Sequence, residues 1–251
     1  EGIQGPQLMQ NIRKQAEHHG VEFIDDDLSE TDFSHSKSPF SLTLGDKHIE
    51  TKSILIATGA DTKWLGIPGE SERIGRGVSS CAPCDAPFFR NKKIVVVGGG
   101  DSAMEEAIVL TNFAEHVTII YRGEKLRASQ IMQDKAKANP KISIVYNTVL
   151  TEVQGENKVE KVLLLNNKTQ EKSEMLIDGV FVAIGHIPNT KNFKGVEIDE
   201  KGYITQKYGT HTNIEGIFVS GDVQDYRYMQ AITAAGFGCM AALDIEQYLR
   251  S

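Results

Sequence analysis

Three observations predict an α/β chain of two parallel-sheet domains, one inserted into the other. First, residues 93–146 alternate apolar strand runs with helical patterns, the βαβαβ order that builds a parallel sheet. Second, two further continuous apolar runs, Ser53–Ala57 and Ile217–Ser220, lie on either side of that block and read as buried strands of an outer domain. Third, glycine-rich breaks near Gly75 and Gly209 mark where the chain passes between the two. The predicted boundaries are 1–75 with 207–251 for the outer domain and 76–206 for the inserted one.

The elements follow in order. Gly5-Pro6 opens a helix, because proline at the first helical position gives up an N–H that would be unpaired anyway. Leu8, Ile12 and Ala16, with Met9 beside them, form its apolar stripe, and Gly20 closes it. Val21–Ile24 reads as a short strand. Phe40–Leu44 alternates apolar and polar residues, turns at Gly45-Asp46 and returns through His48–Glu50 as a hairpin. Ser53–Ala57 ends at Thr58-Gly59-Ala60, and Trp64–Gly77 reads as loop. The inserted block runs strand Lys93–Val97, helix Ser102–Phe113, strand Val117–Tyr121, helix Ser129–Ala138, strand Ile142–Tyr146. Leu150–Gln154, Val159–Asn166 and Glu174–Ile177 read as an antiparallel meander. Val180–Ile184 and Ile217–Ser220 are buried strands, and a helix from about Tyr228 to Leu249 closes the chain.

Composition narrows the function. The 251 residues are 40% hydrophobic and 24% charged, ordinary values for a globular protein. The net charge of −7 and the lack of a basic stripe argue against nucleic acid, whose binding depends on phosphate neutralisation. No apolar run has the length of a membrane span, and no signal-like segment precedes the first helix, so a cytoplasmic protein is expected. Of three cysteines, two form a C-x-x-C, the pattern of redox chemistry in a reducing compartment.

That pair is Cys81 and Cys84, followed by Asp85. Sulfurs at i and i+3 can close a small disulfide ring, a helix N-terminus favours a thiolate, and an adjacent carboxyl can protonate a leaving thiolate. The competing readings are half a zinc site or two buried structural cysteines. Zinc needs four ligands, and Cys239 lies far away in a Gly- and Ala-rich helix where a core position is expected, so no metal is predicted.

Gly98-Gly99-Gly100-Asp101-Ser102-Ala103 fits G-x-G-x-x-A between an apolar strand and a helix. There, small residues let the backbone approach a pyrophosphate, and the helix N-terminus supplies oriented N–H groups. The next strand ends Tyr121-Arg122-Gly123-Glu124-Lys125-Leu126-Arg127. Arg122 and Arg127, with no acid at the strand tip, favour a ribose 2′-phosphate and so NADPH over NADH. Gly221-Asp222 follows a buried strand where ligand hydroxyls bind in open α/β sheets. The small residues Ala231, Ala234, Ala235, Gly236 and Gly238 after it suit either a flat cofactor or tight helix–sheet packing.

Together these residues resemble the low-molecular-weight NADPH-dependent thioredoxin reductases of bacterial and plant type. The family's C-A-T-C-D-G corresponds to Cys81–Ala86, its G-G-G-x-[ST]-A-x-E-E-A to Gly98–Ala107, its F-V-A-I-G-H-x-P-N-T to Phe181–Thr190, and its G-D-V-x-D…Q-A-I-T-x-A-G-x-G-C-M-A-A-L-D to Gly221–Asp244. The resemblance implies two Rossmann-like FAD/NAD(P)-binding domains of three-layer ββα type, with FAD in the discontinuous domain and NADPH in the inserted one. It implies a homodimer that passes electrons from NADPH through FAD and the Cys81–Cys84 disulfide to thioredoxin. Cys84 would face the flavin, Cys81 would attack the thioredoxin disulfide, and Asp85 would be the general acid. Thr58, Gly59, Gly221, Asp222, Gln230 and Ala231 would hold FAD; Ile184, Gly185 and His186 would join the glycine turn and Arg122/Arg127 around NADPH. Gly75, Gly77 and Lys207–Gly209 would be hinges between the domains.

The chain departs from the pattern at Ala86-Pro87, at Tyr121 and Gly123 where His and a basic residue are common, and at Met229 where Arg is common. The family's opening βαβ unit, with its own G-x-G-x-x-G, has no counterpart before residue 1. An incomplete chain, or altered FAD binding, is therefore expected. The alternatives are a non-catalytic NADPH-binding fragment or a flavoprotein reductase serving another dithiol partner.

Overall fold

The structure, a computed structural model, describes residues 2–250. The chain forms two compact units: one runs to Gly59 and resumes at Pro188, and the other is Ala60–Ile187.

The Ala60–Ile187 unit is built on a five-stranded, wholly parallel sheet in the order Val78–Ser79, Gly179–Val182, Lys93–Val97, His116–Ile120, Ile142–Val145. Its strands are covered on both faces, which is why they read as unbroken apolar runs. Alternation sorts their side chains. Ile94, Val96, Val117, Ile119 and Phe181 pack with Ala103, Met104, Ala107 and Leu110 of helix Asp101–Leu110 and with Ala136 of helix Gln130–Ala138. Val95, Val97, Ile120, Val180 and Val182 face Leu150, Val153, Val162 and Leu164 of an antiparallel sheet, Thr148–Gln154, Lys161–Asn166 and Lys172–Leu176, and Ile177 just after it. Helices, parallel sheet and meander make the three expected layers. Element ends agree with expectation to within a few residues, as at Lys93–Val97 and Gln130–Ala138.

In the other unit, Ile54–Ile56 and Ile217–Val219 pair in parallel, placing Ile56 beside Val219. The hairpin Phe40–Leu44 with Lys47–Thr51 lies over a core of Phe33, Phe40, Ile56, Phe193, Val196, Ile217 and Val219. Helices Gly5–His18 and Ala231–Arg250 belong to this unit.

Three expectations are corrected and one pairing is added. Val21–Ile24 is not a strand: Phe23 instead offers its ring to the Arg13 guanidinium at 4.2 Å. A two-residue pairing of Thr31–Asp32 with Phe193–Lys194 was not foreseen. Cys239 is exposed, because Ala241 is the one residue of its helix that is buried among those described. The units also part at Gly59 and Ile187, not near 75 and 206. The reason is local. The Glu70 carboxylate, buried, accepts N–H groups of Leu65 (2.9 Å) and Gly66 (2.7 Å), and Val153 N–H donates to Pro68. Trp64, Leu65 and Ile67 join the meander's core. In the same way Phe193, Val196 and Ile204 pack into the outer unit, and Asp244 accepts both the N–H (3.0 Å) and hydroxyl (2.6 Å) of Thr210. The glycines expected to be hinges thus lie within units.

Candidate redox and nucleotide sites

Cys81 and Cys84 are joined by a disulfide, their Cα atoms 5.3 Å apart. Cys81 is the half-buried residue before the short helix Ala82–Asp85, and Cys84, within it, is exposed. That helix is a single turn, so it supplies little of the dipole expected to favour a thiolate. Pro83 lies in its first turn, and Ala82 within it and Ala86 just after it, fully buried, seat it against Ala103, Met104 and Ala107. Two small residues on each side permit this close approach, which fixes the dithiol turn on the helix that follows the glycine turn.

Ser79, a residue not foreseen as functional, ties the turn together. Its hydroxyl donates to Asp85 Oδ2 at 2.6 Å and accepts the Cys81 N–H at 3.1 Å. Ser79 ends the edge strand Val78–Ser79, so the sheet positions both the carboxyl group and the first cysteine. The sequence held no signal for it, because a lone serine at a strand end is common.

The glycine turn leaves strand Lys93–Val97 and enters helix Asp101–Leu110. Gly98 has φ +153°, and a Cβ there would lie 2.4 Å from the Ala183 carbonyl oxygen, so only glycine fits. Ala103 is fully buried under Gly98; its part is close helix–strand packing. At Gly100 a Cβ would meet nothing within 4 Å, and no side chain caps the helix, so its first N–H groups face an open surface. Asp101 and Ser102 are exposed there, and Asp101 Oδ1 accepts the Ser129 N–H at 2.6 Å. Arg127 N–H and Ala128 N–H both donate to Gly99 O, at 2.7 and 3.0 Å. These bonds bring the Tyr121–Ala128 loop, with Arg122 and Arg127 exposed, beside the turn. Ile184, Gly185 and His186 follow the neighbouring strand Gly179–Val182, all half-buried, and Gly185 O accepts the Lys63 N–H at 3.0 Å. The arrangement is a cradle open to a pyrophosphate, flanked by cationic side chains, and it fits a phosphorylated nicotinamide nucleotide.

The remaining predicted site residues gather in the other unit, at the carboxyl ends of its paired strands. Thr58 and Gly59 follow Ile54–Ile56; Gly221 and Asp222 follow Ile217–Val219. Asn189 clamps the first pair: the Thr58 hydroxyl donates to Asn189 O at 2.7 Å, and Asn189 Nδ2 donates to Thr58 O at 3.1 Å. Gly59 is left-handed (φ +69°) with open space where a Cβ would stand. Asp225, buried and also not singled out, accepts the N–H groups of Arg227, Tyr228 and Met229 at 2.9–3.3 Å. This turns the chain so that Gln230 and Ala231 open helix Ala231–Arg250 on an exposed surface. Strand ends, an open glycine and a small-residue helix face fit an extended flat cofactor.

Comparison with known proteins decides the family. Residues 5–238 match the model of the pyridine nucleotide-disulphide oxidoreductases. The chain belongs to that family. It is 49% identical over 255 residues to a thioredoxin reductase of Rickettsia prowazekii, covering 99% of this chain and 82% of the relative. It is 47% identical to one of Streptomyces clavuligerus, covering 99% and 78%. Among solved structures, the thioredoxin reductase from Giardia duodenalis superposes with a TM-score of 0.93 at 38% identity, covering 99% of this chain and 82% of that one. The thioredoxin reductase from Streptococcus pyogenes gives 0.91 at 40%, covering 99% and 81%.

Proposed function

We propose that this chain is a thioredoxin-disulfide reductase that uses NADPH and FAD and acts on thioredoxin through Cys81 and Cys84. The observation that carries the reading is the disulfide seated on the helix of the nucleotide cradle, its turn tied by Ser79 to the Asp85 carboxyl group. Close similarity to thioredoxin reductases supports it along the whole chain.

NADPH is assigned to the Ala60–Ile187 unit through Gly98, Gly100, Asp101, Ser102, Ile184, Gly185, His186, Arg122 and Arg127, with Ala103 packing beneath. FAD is assigned to the discontinuous unit through Thr58, Gly59, Gly221, Asp222, Gln230 and Ala231. FAD, when bound, supplies a two-electron carrier between nicotinamide and disulfide. Two electrons and a proton open the Cys81–Cys84 bond to one thiolate and one thiol. The Cys81 thiolate then attacks the thioredoxin disulfide. A mixed disulfide forms, and the departing thiolate takes a proton from Asp85. Asp85 recovers a proton from the Cys84 thiol. Cys84 attacks the Cys81 sulfur, the mixed disulfide breaks, and Asp85 protonates the second thioredoxin sulfur. The products are a thioredoxin dithiol and the restored Cys81–Cys84 disulfide, and Asp85, left as a carboxylate, regains its proton from water for the next turnover.

The same reading makes the protein a cytoplasmic homodimer. Leu8, Met9 and Ile12 on the first helix and Ile232, Met240 and Leu243 on the last are exposed apolar residues, as an interface between copies requires. No helix among the described residues is long and apolar enough to cross a membrane.

The test is anaerobic titration of FAD-loaded protein with NADPH, followed by thioredoxin. Flavin absorbance should bleach with NADPH and return with oxidised thioredoxin. Cys84→Ser should trap a mixed disulfide through Cys81, and Cys81→Ser should not. FAD-loaded protein that leaves thioredoxin oxidised would overturn the assignment.

A further inference from the structure

The Tyr121–Ala128 loop carries one acid among its cations. Arg122, Glu124, Lys125 and Arg127 are all exposed, so a bare Glu124 carboxylate would oppose a phosphate on the same surface. It is not bare. Lys168, from the tip of the hairpin between strands Lys161–Asn166 and Lys172–Leu176, forms an ion pair with Glu124.

The hairpin tip also holds the loop's backbone. Asn167 Nδ2 donates to the Arg122 carbonyl at 3.1 Å. Asn167 N–H donates to Asn147 O at 2.6 Å, and Asn147 N–H to Gly123 O at 3.1 Å. Asn147 is left-handed (φ +52°), the conformation that turns its N–H back to the loop. The tip is itself fixed: Asn166 Oδ1 accepts the N–H groups of Lys168 (2.9 Å) and Thr169 (3.0 Å), and Gln170 N–H donates to Asn166 O (2.9 Å). From inside, the Tyr121 ring fills the space under Gly123, where a Cβ would stand 2.9 Å from the ring. The loop therefore has no side chain at 123 to add a second charge beside Arg122.

We propose that the hairpin tip Asn167–Lys168 is a positioning and charge-balancing element for nucleotide selection. Lys168 neutralises Glu124, and Asn167 holds the Arg122 backbone, so that the loop prefers a 2′-phosphorylated nicotinamide nucleotide. The proposal rests on the reading that Arg122 and Arg127 meet that phosphate. Lys168 and Asn167 act through the loop and are positioning residues.

The experiment measures equilibrium binding of NADP⁺ and NAD⁺ to the FAD-loaded full chain by calorimetry, at about 20 mM and about 500 mM salt. At low salt, Lys168→Ala should weaken NADP⁺ about three- to five-fold and leave NAD⁺ within two-fold, the size expected of an exposed charge pair. The effect should shrink at high salt, where the Debye length is only a few ångströms. Adding Glu124→Gln to Lys168→Ala should restore NADP⁺ binding, which a merely structural role for Lys168 would not allow. Arg122→Ala is the control for the underlying reading and should lower the NADP⁺ preference at least ten-fold. If Arg122→Ala lowers the preference but Lys168→Ala does not, or Lys168→Ala weakens both nucleotides equally, the hairpin proposal is overturned while the phosphate reading stands. If Arg122→Ala leaves the preference unchanged, the phosphate reading fails and the proposal falls with it.

Discussion

Ser79 and Asp85 together control where a proton can stand near the dithiol. The carboxyl group is half-buried and its Oδ2 is held at 2.6 Å by a hydroxyl that also orders the Cys81 backbone. Removing the acid should cost far more than removing the hydroxyl that aims it. Asp85→Asn is expected to slow thioredoxin reduction by about 10²- to 10⁴-fold, the range for a lost general acid, with NADP⁺ affinity unchanged. Ser79→Ala should slow it by about five-fold, the loss of one hydrogen bond, and Ser79→Thr should recover most of that. Stopped-flow oxidation of the pre-reduced enzyme by thioredoxin separates the two; equal effects would refute a proton role for Asp85. At this scale, what was legible were residues whose chemistry is rare for their setting: two cysteines at i, i+3, a glycine turn, arginines after a strand. Ser79 and Glu70 work through contacts closed by the fold, and serine and glutamate in loops carry no such signal; Asp225 stands in the G-D-V-x-D pattern, but the turn it holds shows only in the structure.

Elements were legible where a local pattern and its tertiary partners agreed, and the helix Asp101–Leu110 is the clearest instance. Its glycine turn, its small residues and its apolar face were all in the sequence; what burial does to its acid was not. Glu106 Oε2 is buried without a hydrogen-bond partner, and desolvation pushes its carboxyl from an ordinary 4.5 up to about 8. The sign follows from proton counting. Between those two values the unfolded chain has released a proton that the folded chain keeps, so stability falls as pH rises across the window and levels off above it. Glu106→Gln should remove that slope. At pH 5 the variant should melt close to the parent; at pH 8.5 it should be more stable by about 2 kcal/mol, discounted for partial solvent access, or about 5 °C. Parallel melting curves against pH for the two proteins would refute it. By contrast Val21–Ile24 has strand composition but finds no strand partner, and Phe23 is spent on Arg13 instead. Propensity without a neighbour did not make a strand.

For the whole molecule, the order of the apolar runs announced one α/β unit set inside another, but not where the chain crosses. The breaks in apolar period at Gly75 and Gly209 point to crossings there. The structure places the crossings at Gly59 and Ile187, and the glycine-rich stretch after Trp64 is instead pinned by the buried Glu70 carboxylate and Val153. This difference has a consequence for folding. The Ala60–Ile187 unit is continuous in sequence and has two cores of its own, one on each face of its central sheet. A piece with those properties should fold alone, whereas the unit around it must bring together residues from both ends of the chain. Expressed as residues 60–187, it should unfold in one cooperative transition and bind NADP⁺ within about three-fold of the full chain. A piece cut at the glycines, 76–206, should fare worse. It loses Trp64, Leu65 and Ile67 from the meander's core and gains Phe193, Val196 and Ile204, apolar side chains whose partners it lacks. Calorimetric melting and NADP⁺ titration of both pieces would decide the matter. Equal behaviour of the two would show that the segment from Ala60 to Gly75 contributes nothing to the inserted unit.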